Sequence, residues 1–321
     1  MPASRPDTAD SGDLVVDAAA AAPELSALRT AVAQRDWPEV SGFLSRLSDP
    51  DDREYAVRIV AMVNDSDDFL RDMAAAEGAA STVASTLYAA RLVQAGWSIR
   101  TSYRAKHVSR EQFAGFHDHL RRAERILIDV TAKDPANSSA WAQRLVTARG
   151  LELGQAEVRR RFDQVRRHVP HLYAAEVEFL QQLCPKWSGN LEKMWEFARE
   201  CLTTSTPGSL SPLTIVEGHL EQWSETESNR TPSSYFTRPD VRDEINEAAE
   251  RSVRHPDFRP GYRWIVAHNL FALAFSLMQD HQAAAPHFRR LGNLIATPYW
   301  SYFGDERALF RQHRAAALRH G

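Results

Sequence analysis

Four arginines, Arg159, Arg160, Arg166 and Arg167, fall on one expected helix from Gln155 to His168. At 100° per residue they gather within about 120° of one face, while Val158, Phe162, Val165 and Val169 form a separate apolar stripe. Clustered guanidiniums can grip the carboxylates of an acidic peptide or the oxygens of a phosphate, because each presents a planar fork of donors. The same residues would also serve as a solvated face, or as a dock for the acidic N-terminal segment. Nucleic acid is disfavoured, since no aromatic side chain interleaves the arginines for base stacking.

Histidine and acid pairs offer less chemistry. His117 and His119 lie two apart on a helix and point about 200° away from each other, so they cannot share a metal. His168 and His171, near Glu176, bracket Val169-Pro170 at a helix break, with no further Cys or His cluster to complete a tetrahedron. No metal site is expected. His268 sits on the most apolar helix and reads as a buried histidine with one hydrogen-bond partner rather than a base. A phosphate loop, a dinucleotide turn, a nucleophile elbow and zincin spacing are all missing from the sequence. The expectation is a chain with no cofactor and no catalytic residue, although paired acids such as Glu176 and Glu178 leave an unrecognised enzyme open.

Aromatic residues supply two candidate contact points. From Pro185 to Arg199, Pro185 ends one helix, Gly189 permits a turn, Asn190 caps the next helix and Trp187 covers the corner. Tyr299, Trp300, Tyr302 and Phe303 precede the last helix, where they either form a partner hot spot or cap the core.

Helical periodicity dominates the elements that must position these residues, and alternation of the strand kind is nearly absent. Fifteen helices are expected, beginning near residues 24, 38, 51, 67, 82, 110, 139, 155, 172, 191, 212, 239, 262, 281 and 305. Pro38 opens a helix, while Pro50, Pro135, Pro170 and Pro185 are read as lying just beyond helix ends. Ser224 to Pro239 is the one long polar break and a possible subdivision near 224–239. The 34-residue tetratricopeptide spacing is met by Ala123, Leu127, Val130 and Pro135 with Trp141, and again by Ala272, Phe275, Ala284, Phe288 and Leu291. Elsewhere it is degraded, as at Glu157, and a generic helical bundle is the alternative.

Composition sets the outer limits. With 321 residues, 43% of them hydrophobic, the chain can bury a sizeable core, and a formal net charge of −3 provides no global field for polyanions or anionic membranes. The charge is uneven: residues 1–72 hold 15 acidic against 7 basic residues, leaving 27 against 32 in the remainder. Cys184 and Cys201 fall on consecutive helices, on the order of 16 Å apart along an antiparallel pair, so no disulfide is expected and a reducing, cytoplasmic compartment is the reading. Residues 1–22 carry acids where a secretory signal needs a basic start, and are read as a flexible acidic tail before a helical domain at 23–321. Trp264 to Met278 is too short and too interrupted to span a bilayer.

Three segments together carry a family resemblance: Arg35-Asp36-Trp37 leading to Asp49-Pro50-Asp51-Asp52-Arg53-Glu54-Tyr55, the Asp134-Pro135 to Trp141 junction, and Cys184-Pro185-Lys186-Trp187 through Arg199. In that order the chain resembles an uncharacterised family of actinobacterial tetratricopeptide-like proteins over about residues 25 to 225. The resemblance implies an intracellular helical-repeat fold and carries no activity, ligand or catalytic residue.

The expected molecule is therefore all-α, an α-solenoid of six to seven antiparallel helix hairpins with degenerate tetratricopeptide-like repeats. Its expected role is non-enzymatic: binding an unidentified protein or peptide partner on its concave surface, with Arg159, Arg160, Arg166, Arg167, Trp187, Tyr299 and Trp300 as candidate contacts. The alternative is a regulatory subunit that senses a small anion or nucleic acid through the arginine-rich helix.

Overall fold

A computed structural model describes residues 13–78, 81–101, 107–227, 231–296 and 298–321. Among them the chain is all-helical apart from two two-residue strands. The sixteen α-helices are α1 (Pro23–Ala33), α2 (Trp37–Arg46), α3 (Pro50–Ala61), α4 (Asp67–Glu77), α5 (Val83–Arg100), α6 (Arg110–Lys133), α7 (Ser138–Gly150) and α8 (Gln155–His168), then α9 (Tyr173–Leu183), α10 (Leu191–Thr204), α11 (Leu213–Thr226), α12 (Pro232–Phe236), α13 (Pro239–Arg251), α14 (Trp264–Leu277), α15 (His281–Leu291) and α16 (Glu306–His320). No helix among the described residues is long and apolar enough to cross a membrane.

Side-chain caps fix many of the helix starts. Asp49 accepts from the amides of Asp51 and Asp52 at 2.9 and 3.0 Å, Asn137 from Ala140 and Asn190 from Lys193, while Ser109 and Gln112 form a reciprocal capping box. Pro50, expected just past a helix end, is instead the first residue of α3, where its fixed φ suits the helix and its missing N–H leaves nothing unsatisfied. The break expected from Ser224 to Pro239 is shorter than that. Helix α11 runs on to Thr226, and the five-residue α12 buries Tyr235 and Phe236. Periodicity over so short a helix leaves no signal.

Consecutive helices fold back on each other, and two populations result. Helices α5, α7 and α14 are buried almost all round, whereas α6, α8, α10 and α15 bury one stripe. The first group belongs to a cycle of neighbours in which α3 packs on α5, α5 on α7, α7 on α9, α9 on α11 and α11 on α14. The cycle closes because a short turn at Gly261–Arg263, leading into α14, packs against α3. Of the residues that fitted the repeat spacing, Ala123, Leu127, Val130, Trp141, Ala272, Phe275, Ala284, Phe288 and Leu291 are buried, whereas Pro135 is exposed. One continuous core runs from Leu14 to Ala317, with no gap at 224–239.

The flexible tail expected over residues 1–22 is corrected for its second half; residues 1–12 lie outside the described residues. Strand β1 (Val15–Val16) pairs in parallel with β2 (Leu294–Ile295), and Leu14 and Ala19 are buried. Long-range hydrogen bonds pin the segment further. Asn293 and Arg307 side chains donate to the carbonyls of Asp13 and Leu14, the Trp264 indole to Ala21 and the Tyr55 hydroxyl to Ala18. Asp17, read as tail charge, caps its own turn and pairs with Arg29. Its acids mask the apolar anchors Leu14, Val15 and Ala19, so the segment reads as polar until its partner strand is known.

Candidate functional site

The inner helices line a cavity of about 370 Å³ that is open to solvent on one side. Helix α3 contributes Glu54 and Arg58 to its wall, α5 Gln94 and Trp97, α7 Gln143 and Arg149, α9 Tyr173 and Glu178, and α11 Glu217; Arg263, Tyr299 and Tyr302 complete it. The volume lies in the range of pockets that take small ligands or a few residues of a peptide.

Charges in the wall are sorted by their commitments. Arg263 is buried and bonded to Glu54, with Asp51 beside it at 3.4 Å. The next residue back, Tyr262, donates its amide to Asp52 at 2.7 Å. The segment Asp49 to Tyr55, which carried part of the family resemblance, is thus the seam where the two ends of the helical array meet. Arg149 faces Glu178, and its guanidinium also stacks within about 5.4 Å of Trp97 and Trp187. Lys186 and the Gln181 amide hold Glu221, which also accepts from Tyr302 at 3.0 Å. By contrast, the Arg58 guanidinium and the Gln94 and Gln143 amides make no side-chain hydrogen bond or ion pair among the described residues.

Glu217 is the most unusual group of the wall. Only 3% exposed, it accepts from the Tyr173 hydroxyl at 2.6 Å through Oε1, and Oε2 has no hydrogen-bond partner among the described residues. Burial pushes its carboxyl up to about 7, against the opposing pull of the Tyr173 and Tyr299 hydroxyls. Asp51 is likewise pushed up to about 7, burial outweighing the attraction of Arg263. Both tyrosines, buried beside Glu217, are held well above the ordinary phenol range.

No family model, curated protein or solved structure matches the chain. Geometry must carry the functional reading.

The residues singled out from sequence are dispersed. Arg160 is bonded to Glu157, Arg166 to Glu200, and Arg167 to Gln164 at 3.1 Å, while Arg159 lies 4.4 Å from the centre of the Phe179 ring with Asp163 nearby. They sit on α8, outside the cycle of inner helices, and the cavity wall includes none of them. Trp187 covers the corner after α9, edge-on to Trp97. Trp300 is fully buried, donating to Asn269 Oδ1 and packed on Phe288 and Phe310, whereas Tyr299 reaches the cavity. His171 pairs with Glu176, and His268 pairs with His287 at 2.9 Å with both rings pushed below the ordinary histidine range by burial. Among the described residues no cluster of three metal-ligating side chains occurs. Cys184 and Cys201 are free and buried, which drives both thiols upward, Cys184 to about 12.

Apart from Tyr299, Tyr302 and Glu178, which the sequence singles out, sequence reasoning missed the cavity's own residues. Their signal is a polar side chain at a core position: Glu217 within the apolar run from Leu213 to Leu220, and Gln143 between Trp141 and Leu145. Arg161, also missed, shares buried Glu124 with Arg144 across α6, α7 and α8, the two guanidiniums lying 2.9 and 3.0 Å from Oε1.

Proposed function

We propose that the chain is a non-enzymatic binding protein of the tetratricopeptide-like helical-repeat kind, and that it takes a short segment of a protein or peptide partner into the cavity lined by its inner helices. One observation carries this reading: the wall holds Gln94, Gln143 and the solvent-exposed Arg58, none with a side-chain partner among the described residues, beside the ion-paired Arg149, Glu178 and Arg263. Amides and a guanidinium so placed match the main-chain groups and carboxylates of a peptide. The two cysteines support a binding role over a thiol enzyme, because their thiols are buried and held in the protonated form. The anion-sensing alternative has weaker footing, since Arg160, Arg166 and Arg167 already bond to side chains of their own protein.

The test is affinity capture of the tagged protein from its native lysate beside an Ala174→Trp variant. Ala174 lines the cavity and is half-buried, so a tryptophan there fills the space while the helix remains intact. The reading expects a stoichiometric partner with the parent chain and its loss with the variant, at unchanged helicity. Equal capture by both chains would move the binding surface elsewhere.

A further inference from the structure

Resting on the cavity-binding reading, we propose that the Glu217 end of the cavity seats a primary ammonium group, held by the free carboxylate oxygen and walled by Tyr173, Tyr299 and Tyr302. Charge is out of balance at this buried end of the cavity. Along α3, α9 and α11 stand Asp51, Glu54, Glu176, Glu178, Glu217 and Glu221. The permanent cations bonded or ion-paired to them among the described residues are Arg263, Arg149 and Lys186, with His171 on Glu176.

Arg263 serves Glu54 and Asp51, Arg149 serves Glu178 and Lys186 serves Glu221, which leaves Glu217 without a cation. A buried carboxylate with an unpartnered oxygen is costly, and without a ligand it is relieved by holding a proton. A cation that enters replaces that proton. An ammonium suits the place because it has three donors, one for the Glu217 oxygen and others for tyrosine oxygens, and because ring faces attract cations. Tyr302 is 36% exposed and gives the group a route in. The ammonium belongs either to a chain N-terminus, to a lysine side chain or to a free amine.

Four probes separate these sources by saturation-transfer NMR and calorimetry on the full chain: Ala-Ala-Ala amide with a free amino terminus, N-acetyl-Ala-Lys-Ala amide, 1,5-diaminopentane, and neutral N-acetyl-Ala-norleucine-Ala amide. At least one ammonium probe is expected to bind roughly tenfold or more tighter than the neutral one, and Glu217→Gln is expected to remove that advantage. For 1,5-diaminopentane, charged throughout, affinity should rise from pH 5.5 to 8 as Glu217 gives up its proton. Tyr173 and Glu178 on α9, Glu221 on α11, Glu54 and Asp51 on α3, Tyr299, Tyr302, Cys184, Lys186, Arg149 and Arg263 surround that titration, and Asp51, also pushed up to about 7, titrates in the same window.

The pH profile needs only the parent protein, so the inference stays testable if Glu217→Gln folds poorly. It is overturned if the neutral probe binds as tightly, if Glu217→Gln binds 1,5-diaminopentane like the parent, if the profile is flat, or if no ammonium probe binds. A neutral probe that binds and is blocked by Ala174→Trp would sink the ammonium seat and leave the cavity reading standing. Failure of the cavity reading shows separately, as equal capture by the parent and Ala174→Trp.

Discussion

Glu217 ties stability to pH in a direction opposite to that of most surface carboxylates. Its ordinary value of 4.5 is raised to about 7 in the fold, so between those values the folded chain holds a proton that the unfolded chain has released. Its contribution is fully present below pH 4.5 and is lost as pH rises through 7, an effect on the order of 3 kcal/mol. Asp51 acts in the same direction. Glu217→Gln should therefore raise the melting temperature at pH 8 and change it little at pH 4.5; equal shifts at both would show that the carboxyl is not perturbed.

Glu157, lowered to about 2 by its bonds to Arg160, contributes the other way, with stability that is present above pH 4.5 and lost as pH falls through 2. The buried Glu124 is a harsher case. It serves the guanidiniums of Arg144 and Arg161 and accepts from Thr147, so Glu124→Ala leaves two buried cations facing each other. Urea unfolding should register a loss of about 3–5 kcal/mol.

At the scale of the element, turns depend on close approach as much as on caps. A Cβ at Gly189 would lie 2.0 Å from the Leu183 carbonyl oxygen, whereas the residue with left-handed backbone in that turn is Ser188. The requirement for glycine is steric crowding against α9, not positive φ. Gly189→Ala should lower the urea midpoint more than Asn190→Ala, which removes one cap worth about 1 kcal/mol. The reverse order would mean that the turn opens easily.

Elements were the most legible part of the sequence, because 3.6-residue periodicity, capping residues and prolines act locally. All fifteen expected helices occur, α8 and α15 with the expected bounds. What local pattern could not reveal is which helix faces inward. An inner helix such as α7 is buried on nearly every side, so Gln143 and Arg149 look like random polar interruptions until the neighbouring helices are in place. The arginines of α8 were conspicuous for the opposite reason, as a run of charge on an outer helix, where neighbours from α8 itself and α10 already satisfy most of them.

Over the whole molecule, closure is the organising event. Residues near the two chain ends meet in β1–β2, in the Arg263 seam with α3 and in the Trp264 bond to Ala21. These contacts span more than two hundred residues, which is why no sequence window shows them. Removing residues 1–22 should lower the melting temperature and raise the radius of gyration in small-angle scattering, since it strips Leu14, Val15 and Ala19 from the closing interface. An unchanged radius would show that the seam at Arg263 suffices alone.

The proposed partner would bind in the cavity lined by the inner helices and not on the outer helices. Site-specific photo-crosslinking tests this most directly, with benzoylphenylalanine placed at Gln143 on the cavity wall or at Arg167 on exposed α8. The account expects a discrete crosslinked partner from position 143 and none from 167. Crosslinks from 167 alone, with the chain folded in both cases, would contradict it.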